Sequence, residues 1–561
     1  KLEELPFYDL QLSLDDAMTS FTLREQIAWT NLESAPIGEI VLRVYANSNE
    51  GGTAKKLVQF DKGSCPAVAC TVAADGESAI VVKLGKPAAP GDRVTIDLSL
   101  SGHLEEIDSS RTNVLAQSLE SLSMLGGAEM SSFGILAKGD DIASLANFYA
   151  VVGRRRAGAW EKSDTASAIG DLGSDEMSVV HATVEVPERA KVATTGVTIG
   201  EGVTGGRKTV DVAAAAVRDF AVVASPSFEV ASRDVNGVTV RAWFLGAERA
   251  AGEKVLDAAA AALEDFEKRF GPYPYADLDV VEAALIGGAG GVEFAGLVTV
   301  ASMMYRPAIP TDGLLGSLLA LGNGGLPGMG GAPGGPDPMT AMMDKMLEFT
   351  TAHEVAHQYW HGLVGNDSRL HPFVDESLAQ FSAVLYLEDR YGAARAKADG
   401  DMNVAMNYKL MRLLGHPDAP VDRGVGDFGG LMGYAGIVYG KAPYFWNAIR
   451  AELGDATFFA ALRKYVDDNR MKLAKPRALV DAFAAADATK TAKIRALEKR
   501  WLEGAHGDED LGKADLLEML GPSMGIDMSS IDPATKAMMQ QLMQGLMGDG
   551  KSPGLLQLLE E

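Results

Sequence analysis

The chain has 561 residues, 47% of them hydrophobic and 23% charged, which is the balance of ordinary globular proteins and too long for a single core. A formal net charge of −25 argues against nucleic acid as a partner, because phosphate binding rests on clustered Lys and Arg, and suits substrates with a positive end such as a peptide amine. No apolar run reaches the ~18 residues that a membrane-spanning helix needs.

Residues 1–222 read as a β domain. Short β-branched runs at Gly38 to Tyr45, Ala79 to Leu84, Val94 to Leu100, Val179 to Val186 and Thr209 to Val212 are separated by turn residues such as Asp75-Gly76 and Pro90-Gly91-Asp92. A sandwich or saddle-like sheet is expected. Cys65 and Cys70 have four residues between them, so they form either a small disulfide loop, as in an exported protein, or two separate thiols.

The pattern changes at about residue 223, and residues 223–507 read as a second, mainly helical domain, making the whole a multidomain α+β chain. It opens with a strand at Val238 to Phe244 and an Ala-rich helix from Ala247 to Phe270, stopped by Gly271-Pro272-Tyr273-Pro274. Strands follow at Leu278 to Ala284 and Leu297 to Val300. A Gly- and Pro-rich insertion, about 306–338, interrupts the domain, and Asp337 with Pro338 announces the next helix. Residues 508–561 form a Met-rich helical tail with an Asp532-Pro533 start and a stripe of Met538, Met539, Leu542, Met543, Leu546 and Met547. That stripe is expected to pack on the catalytic domain, or to meet the insertion near the mouth of the cleft.

The chemistry is concentrated in Thr350-Thr351-Ala352-His353-Glu354-Val355-Ala356-His357. His353 and His357, four apart on a helix, leave the same face and can share one metal ion. Glu354 is placed to reach a metal-bound water as general base. A catalytic zinc needs a third protein ligand and an open position, and Glu376, separated from His357 by eighteen intervening residues and at the start of another predicted helix, supplies that ligand. His361 and His371 have no place in this pattern and read as supporting or surface groups.

These residues resemble the aminopeptidase N family of gluzincin metallopeptidases, which includes leukotriene hydrolases. The flanks His357-Gln358-Tyr359-Trp360, Val364-Gly365-Asn366-Asp367 and Asp375-Glu376-Ser377-Leu378-Ala379 share that resemblance. So do Leu145-Ala146-Asn147-Phe148-Tyr149, Phe270-Gly271-Pro272-Tyr273-Pro274-Tyr275 and the exopeptidase-like strand Gly290-Gly291-Val292-Glu293-Phe294. The resemblance implies a β saddle followed by a thermolysin-like domain holding one zinc ion, with Glu354 as general base. It implies that Gly290 and Gly291 lie along the substrate and that Glu293 binds its free amine. Tyr439, in Tyr439-Gly440-Lys441-Ala442, corresponds to the family's oxyanion-binding tyrosine; Tyr434 is the rival for that role.

Phe294 and Val292 depart from the family's exopeptidase motif, and the large C-terminal helical-repeat domain of many relatives is missing, as in a bacterial-type member. The expected activity is zinc-dependent removal of N-terminal residues from peptides. An endopeptidase or a leukotriene-hydrolase-like epoxide hydrolase on the same metal set are the alternatives. The chain opens on Lys1, as a processed chain would, and the expected compartment is extracytoplasmic (periplasmic, secreted or lipid-anchored), with a cytoplasmic one as alternative.

Overall fold

The computed structural model describes residues 1–48, 56–114, 116, 117, 120, 133–162, 176–306 and 338–512. The insertion between Arg306 and Pro338 and the tail beyond Gly512, with the contacts expected of both, lie outside the described residues. Among the described residues no helix is long and apolar enough to cross a membrane.

In the first domain the two-residue period of a strand decides which side chains are buried. Phe21, Leu23, Ile27 and Trp29 of Ser20–Thr30 face inward, as do Leu10, Leu12 and Leu14 of its neighbour Phe7–Leu14. These two strands lie in a seven-stranded sheet ordered Val197–Thr204, Arg207–Val217, Ser178–Pro187, Phe7–Leu14, Ser20–Thr30, Arg93–His103 and Val58–Ser64. Ile40 and Leu42 of Ile37–Arg43, and Ile80 and Val82 of Ala79–Ala88, close the core from a four-stranded sheet. Phe148 and Tyr149 pack edge-on against Phe21 and Tyr8, at 5.9 and 5.6 Å between ring centroids. Glu25 is the one acid in its inward row. Its Oε2 accepts from the Ala150 amide at 3.0 Å, and burial raises its carboxyl well above the usual range. Cys65 and Cys70 form a disulfide.

A third sheet, of five strands, contains Val222–Ser225, paired with Lys191–Thr194 and Ile142–Leu145. The expected boundary between residues 222 and 223 therefore falls inside a strand, and the β domain runs on through Ser225.

The second domain begins with a five-stranded sheet ordered Phe228–Val235, Val238–Leu245, Asp277–Ala283, Leu297–Ala301 and Gly291–Phe294. Gly291–Phe294 is an edge strand, antiparallel to its single partner. The helix Arg249–Phe270, entered through a 3₁₀ turn at Gly246–Glu248, lies on this sheet. Its side chains Val255, Ala259, Leu263 and Phe266 share one core with Leu347, Ala352 and Val355 of the helix Pro338–Ala356. Phe270 packs on Trp360 at 4.8 Å between centroids. Two short segments, Asp401–Ala405 and Ala435–Lys441, are π-helical, which residue periodicity did not anticipate.

The helix approaches the sheet most closely at Gly252, where an added Cβ would lie 2.0 Å from Cδ1 of the fully buried Phe244. Gly252→Ala gains ~1 kcal/mol of helix propensity, but overpacking costs ~1–3 kcal/mol. The variant should unfold at lower temperature by calorimetry, with its secondary structure unchanged.

Candidate metal centre

The zinc-site residues come from two helices in contact and the segment that joins them. The helix Pro338–Ala356 carries His353 and Glu354 and ends one residue before His357. His357 nevertheless continues the last turn, its amide donating to the His353 carbonyl at 3.3 Å, so both rings leave one face. Beyond it the chain widens: Gly362, Leu363 and Val364 donate to the carbonyls of His357, Gln358 and Tyr359, each five residues back. His361 sits in this wide turn at φ 101°, a conformation that side chains other than glycine rarely adopt. Glu376 opens the helix Glu376–Tyr391, where Asp375 Oδ1 caps its amide at 2.8 Å.

His353 Nε2, His357 Nε2 and Glu376 Oε2 converge. The two nitrogens are 3.1 Å apart, and the carboxylate oxygen is 3.3 Å from His357 and 3.5 Å from His353. Tetrahedral zinc with bonds of about 2.0–2.1 Å separates its ligand atoms by about 3.3 Å, so the spacing fits that ion. Among the described residues these three form the one group of His, Cys, Asp and Glu side chains that could hold a metal. Their ionisation fits too. Burial lowers the His353 pKa, and although burial alone would raise Glu376, hydrogen bonds from His353 and His357 hold it below the usual carboxylate range. Burial also opposes charge on His357, but Glu293, Glu376 and Glu354 together raise it well above normal; three carboxylates around one ring call for a cation.

Trp360 fixes the second ligand. Its carbonyl accepts from His357 Nδ1 at 3.0 Å, which leaves Nε2 for the metal, while its indole N–H donates to Ser382 on the Glu376 helix at 2.8 Å. One residue thus ties two ligands together. His361 is buried, its Nδ1 4.0 Å from Asp375 Oδ2, and burial pushes its imidazole down to about 3, so it stays neutral. His371 bonds Asp422 at 2.6 Å, outside the ligand set.

The remaining sequence candidates gather around these ligands. Gly291 lies flat on Glu354: an added Cβ would sit 2.4 Å from its Oε1. Gly290 likewise lies against Met304 and Thr350. Glu293, two residues further along the edge strand, brings Oε1 to 3.6 Å from His357 Nδ1. Tyr439, on the π-helical turn, has its ring 5.9 Å from His353; burial, with Glu376 nearby, raises its phenol pKa well above normal, so the hydroxyl keeps its proton. Tyr434 stands behind it, between Tyr439 and Phe428 at 5.6 Å from each. Fully buried Lys441 donates to Asp418 Oδ1 and the Ala419 carbonyl, and Asp418 Oδ2 accepts from the Gly507 amide at 2.7 Å.

Sequence reasoning missed Arg218 and Asp219, which reach the site from the β domain. Arg218 Nε donates to the carbonyls of His361 and Gly362, and Asp219 accepts from the Ala295 amide. The signal was present as two adjacent charges inside the apolar run Ala213 to Ala224. Trp360 and Lys441 were visible only as parts of motifs.

Residues 335–501 match the family model "Peptidase family M1 domain". Over 90% of this chain and 94% of the other, the fold is similar to the crystal structure of M1 zinc metallopeptidase from Deinococcus radiodurans, at 16% identity and a TM-score of 0.56. A mutant of that protein bound to a Tyr-Ser-Ala substrate gives 0.55 over the same shares, again at 16% identity. A mutant described as a two-domain M1 zinc metallopeptidase bound to L-arginine gives the same values. No curated protein matches the sequence. The catalytic region is thus a peptidase family M1 domain. Its buried His353, His357 and Glu376 are compatible with one zinc ion.

The Gly291 contact supplies a direct test. Gly291→Ala should force the Glu354 carboxylate aside and lower kcat by ~10²–10⁴, the usual worth of a general base. Zinc content by atomic absorption should stay at one per chain, because Gly291 touches no ligand atom.

Proposed function

We propose that this peptidase is an aminopeptidase, releasing N-terminal residues from short peptides. The observation that carries the reading is the place of Glu293: a carboxylate on the edge strand, 3.6 Å from a zinc ligand, stands beside the metal set. A carboxylate there meets a substrate's ammonium in a charge-assisted hydrogen bond and leaves little room for residues upstream of the scissile bond. The short peptide in the Deinococcus radiodurans neighbour agrees with such a substrate.

His353, His357 and Glu376 would hold zinc, which when bound supplies a Lewis acid that polarises the scissile carbonyl and lowers the pKa of water. Glu354 takes the proton from the attacking water and returns it to the leaving amine. The Tyr439 hydroxyl, protonated and aimed at the ligand set, donates to the carbonyl oxygen as negative charge develops there. Gly290 and Gly291, with no side chains to obstruct, let the substrate backbone lie along the edge strand above Glu354.

Glu354→Gln should keep one zinc per chain and lose ~10²–10⁴ in kcat. A chelator should abolish wild-type activity, and added zinc should restore it; an active Glu354→Gln protein removes the proposed base.

Glu293→Ala should lower kcat/KM on free aminoacyl amides by ~10²-fold, the penalty of ~2–3 kcal/mol for a buried ammonium left unpaired. N-acetylated amides should be poor substrates for the wild type. Equal wild-type rates on free and acetylated amides would assign the site to an endopeptidase instead.

A further inference from the structure

An exopeptidase must hold its amine anchor at a fixed distance from its metal, yet Glu293 and His357 sit on segments remote in sequence. We propose that Arg218 and Asp219, consecutive residues of the β domain, are positioning residues that set this distance. The inference rests on the aminopeptidase reading above.

Asp219 acts on the anchor side. The peptide group between Phe294 and Ala295, one residue past Glu293, is held at both polar atoms. Its N–H donates to Asp219 Oδ1 at 2.9 Å, and its oxygen accepts from Gln358 Nε2 at 2.9 Å. Gln358 Oε1 takes the next amide, Gly296, at 2.8 Å. Gln358 directly follows His357, so the end of the anchor strand is fastened to the zinc helix from one side and to the β domain from the other.

Arg218 acts on the metal side. It is buried, and its Nε donates to the carbonyls of His361 and Gly362 at 2.6 and 3.2 Å, while Nη2 donates to the Lys472 carbonyl at 3.1 Å. The His361 and Gly362 carbonyls belong to the wide turn that leaves His357, where His361 has its unusual backbone angle, and that of Lys472 belongs to the short strand Lys472–Leu473. Gly365 leaves the guanidinium its space: an added Cβ would fall 2.4 Å from Cζ. A planar fork with fixed donors suits such a grip on adjacent carbonyls.

Neighbouring Cα atoms are about 3.8 Å apart and cannot separate. The exit of the anchor strand and the exit of the zinc helix are therefore clamped to one rigid dipeptide, outside the domain that carries the chemistry. A displacement of ~1 Å between anchor and metal is enough to cost ~10²-fold in rate. A role confined to general stability would leave the preference for a free amine untouched, which is what separates the two accounts.

The test compares wild type, Asp219→Ala, Asp219→Asn and Arg218→Lys on alanyl p-nitroanilide with a free and an acetylated amine, with zinc content and Tm measured alongside. Asp219→Ala should keep one zinc, raise KM for the free substrate about tenfold with a smaller fall in kcat, and lower the free-over-acetylated preference by a similar factor. Asp219→Asn, which retains an acceptor oxygen, should recover most of the loss. Arg218→Lys, which keeps charge but loses the fork, gives a second reading by the same criteria should Asp219→Ala fail to fold. Folded, zinc-bearing variants with wild-type KM and preference overturn the proposal, as does an equal loss on both substrates. A wild type without preference for the free amine overturns the aminopeptidase reading instead, and the proposal with it.

Discussion

Three carboxylates around one imidazole, two of them buried and the third half-buried, are the constraint from which the rest of this structure follows. Glu293, Glu354 and Glu376 surround His357, and a low-dielectric site cannot hold that much negative charge without a cation among it. Zinc meets the need, and the spacing of 3.1–3.5 Å among the three ligand atoms is the spacing zinc imposes. Each carboxylate then has its own place, Glu376 on the metal, Glu354 over Gly291, and Glu293 at the end of the edge strand. What distinguishes them is the element that carries each, since their chemistry is the same.

Holding such a cluster requires rigid surroundings, and the surrounding hydrogen bonds are arranged in pairs. Trp360 spans the two ligand-bearing helices with its carbonyl and its indole. Gln358 joins the zinc helix to the end of the edge strand Gly291–Phe294 with both ends of its amide. Each is a single side chain or residue satisfying two partners on different elements, so a shift of either element breaks a buried hydrogen bond rather than stretching a loose contact. The β domain takes part in the same way, which makes it more than a neighbour of the catalytic region.

The metal set was legible because it is local. Two histidines one turn apart, an intervening glutamate and a capped helix start at Asp375-Glu376 are written in short stretches of sequence, and the helical period places them without knowledge of the fold. The β domain was legible for the same reason, through β-branched runs such as Val94 to Leu100 and Val179 to Val186, which lie in the strands Arg93–His103 and Ser178–Pro187. What was hidden depends on contacts between remote segments. Val222–Ser225 is a strand because Ile142–Leu145 and Lys191–Thr194 accept it, which its own residues do not announce. The π-helical turn at Tyr439 arises where Gly436 and Gly440 press against Met411 and the backbone of Tyr408, contacts that no periodicity encodes. The Cys65–Cys70 pair stood open between bridge and thiols until the strands beside it were placed.

Lys441 has a consequence for where the catalytic unit ends. Its buried ammonium joins the turn that carries Tyr439 to Asp418, and Asp418 takes the amide of Gly507, while Tyr408 and Arg412 hold the Asp508 carboxylate next door. Residues 504–508 are therefore bonded to the scaffold of the tyrosine, although they lie past Trp501 and Leu502, the last large buried side chains among the described residues. A fragment designed to stop at Leu502 would leave a charged lysine in the interior with part of its coordination stripped away. The catalytic region therefore extends at least to Gly507, held there by a cation that must stay solvated by protein.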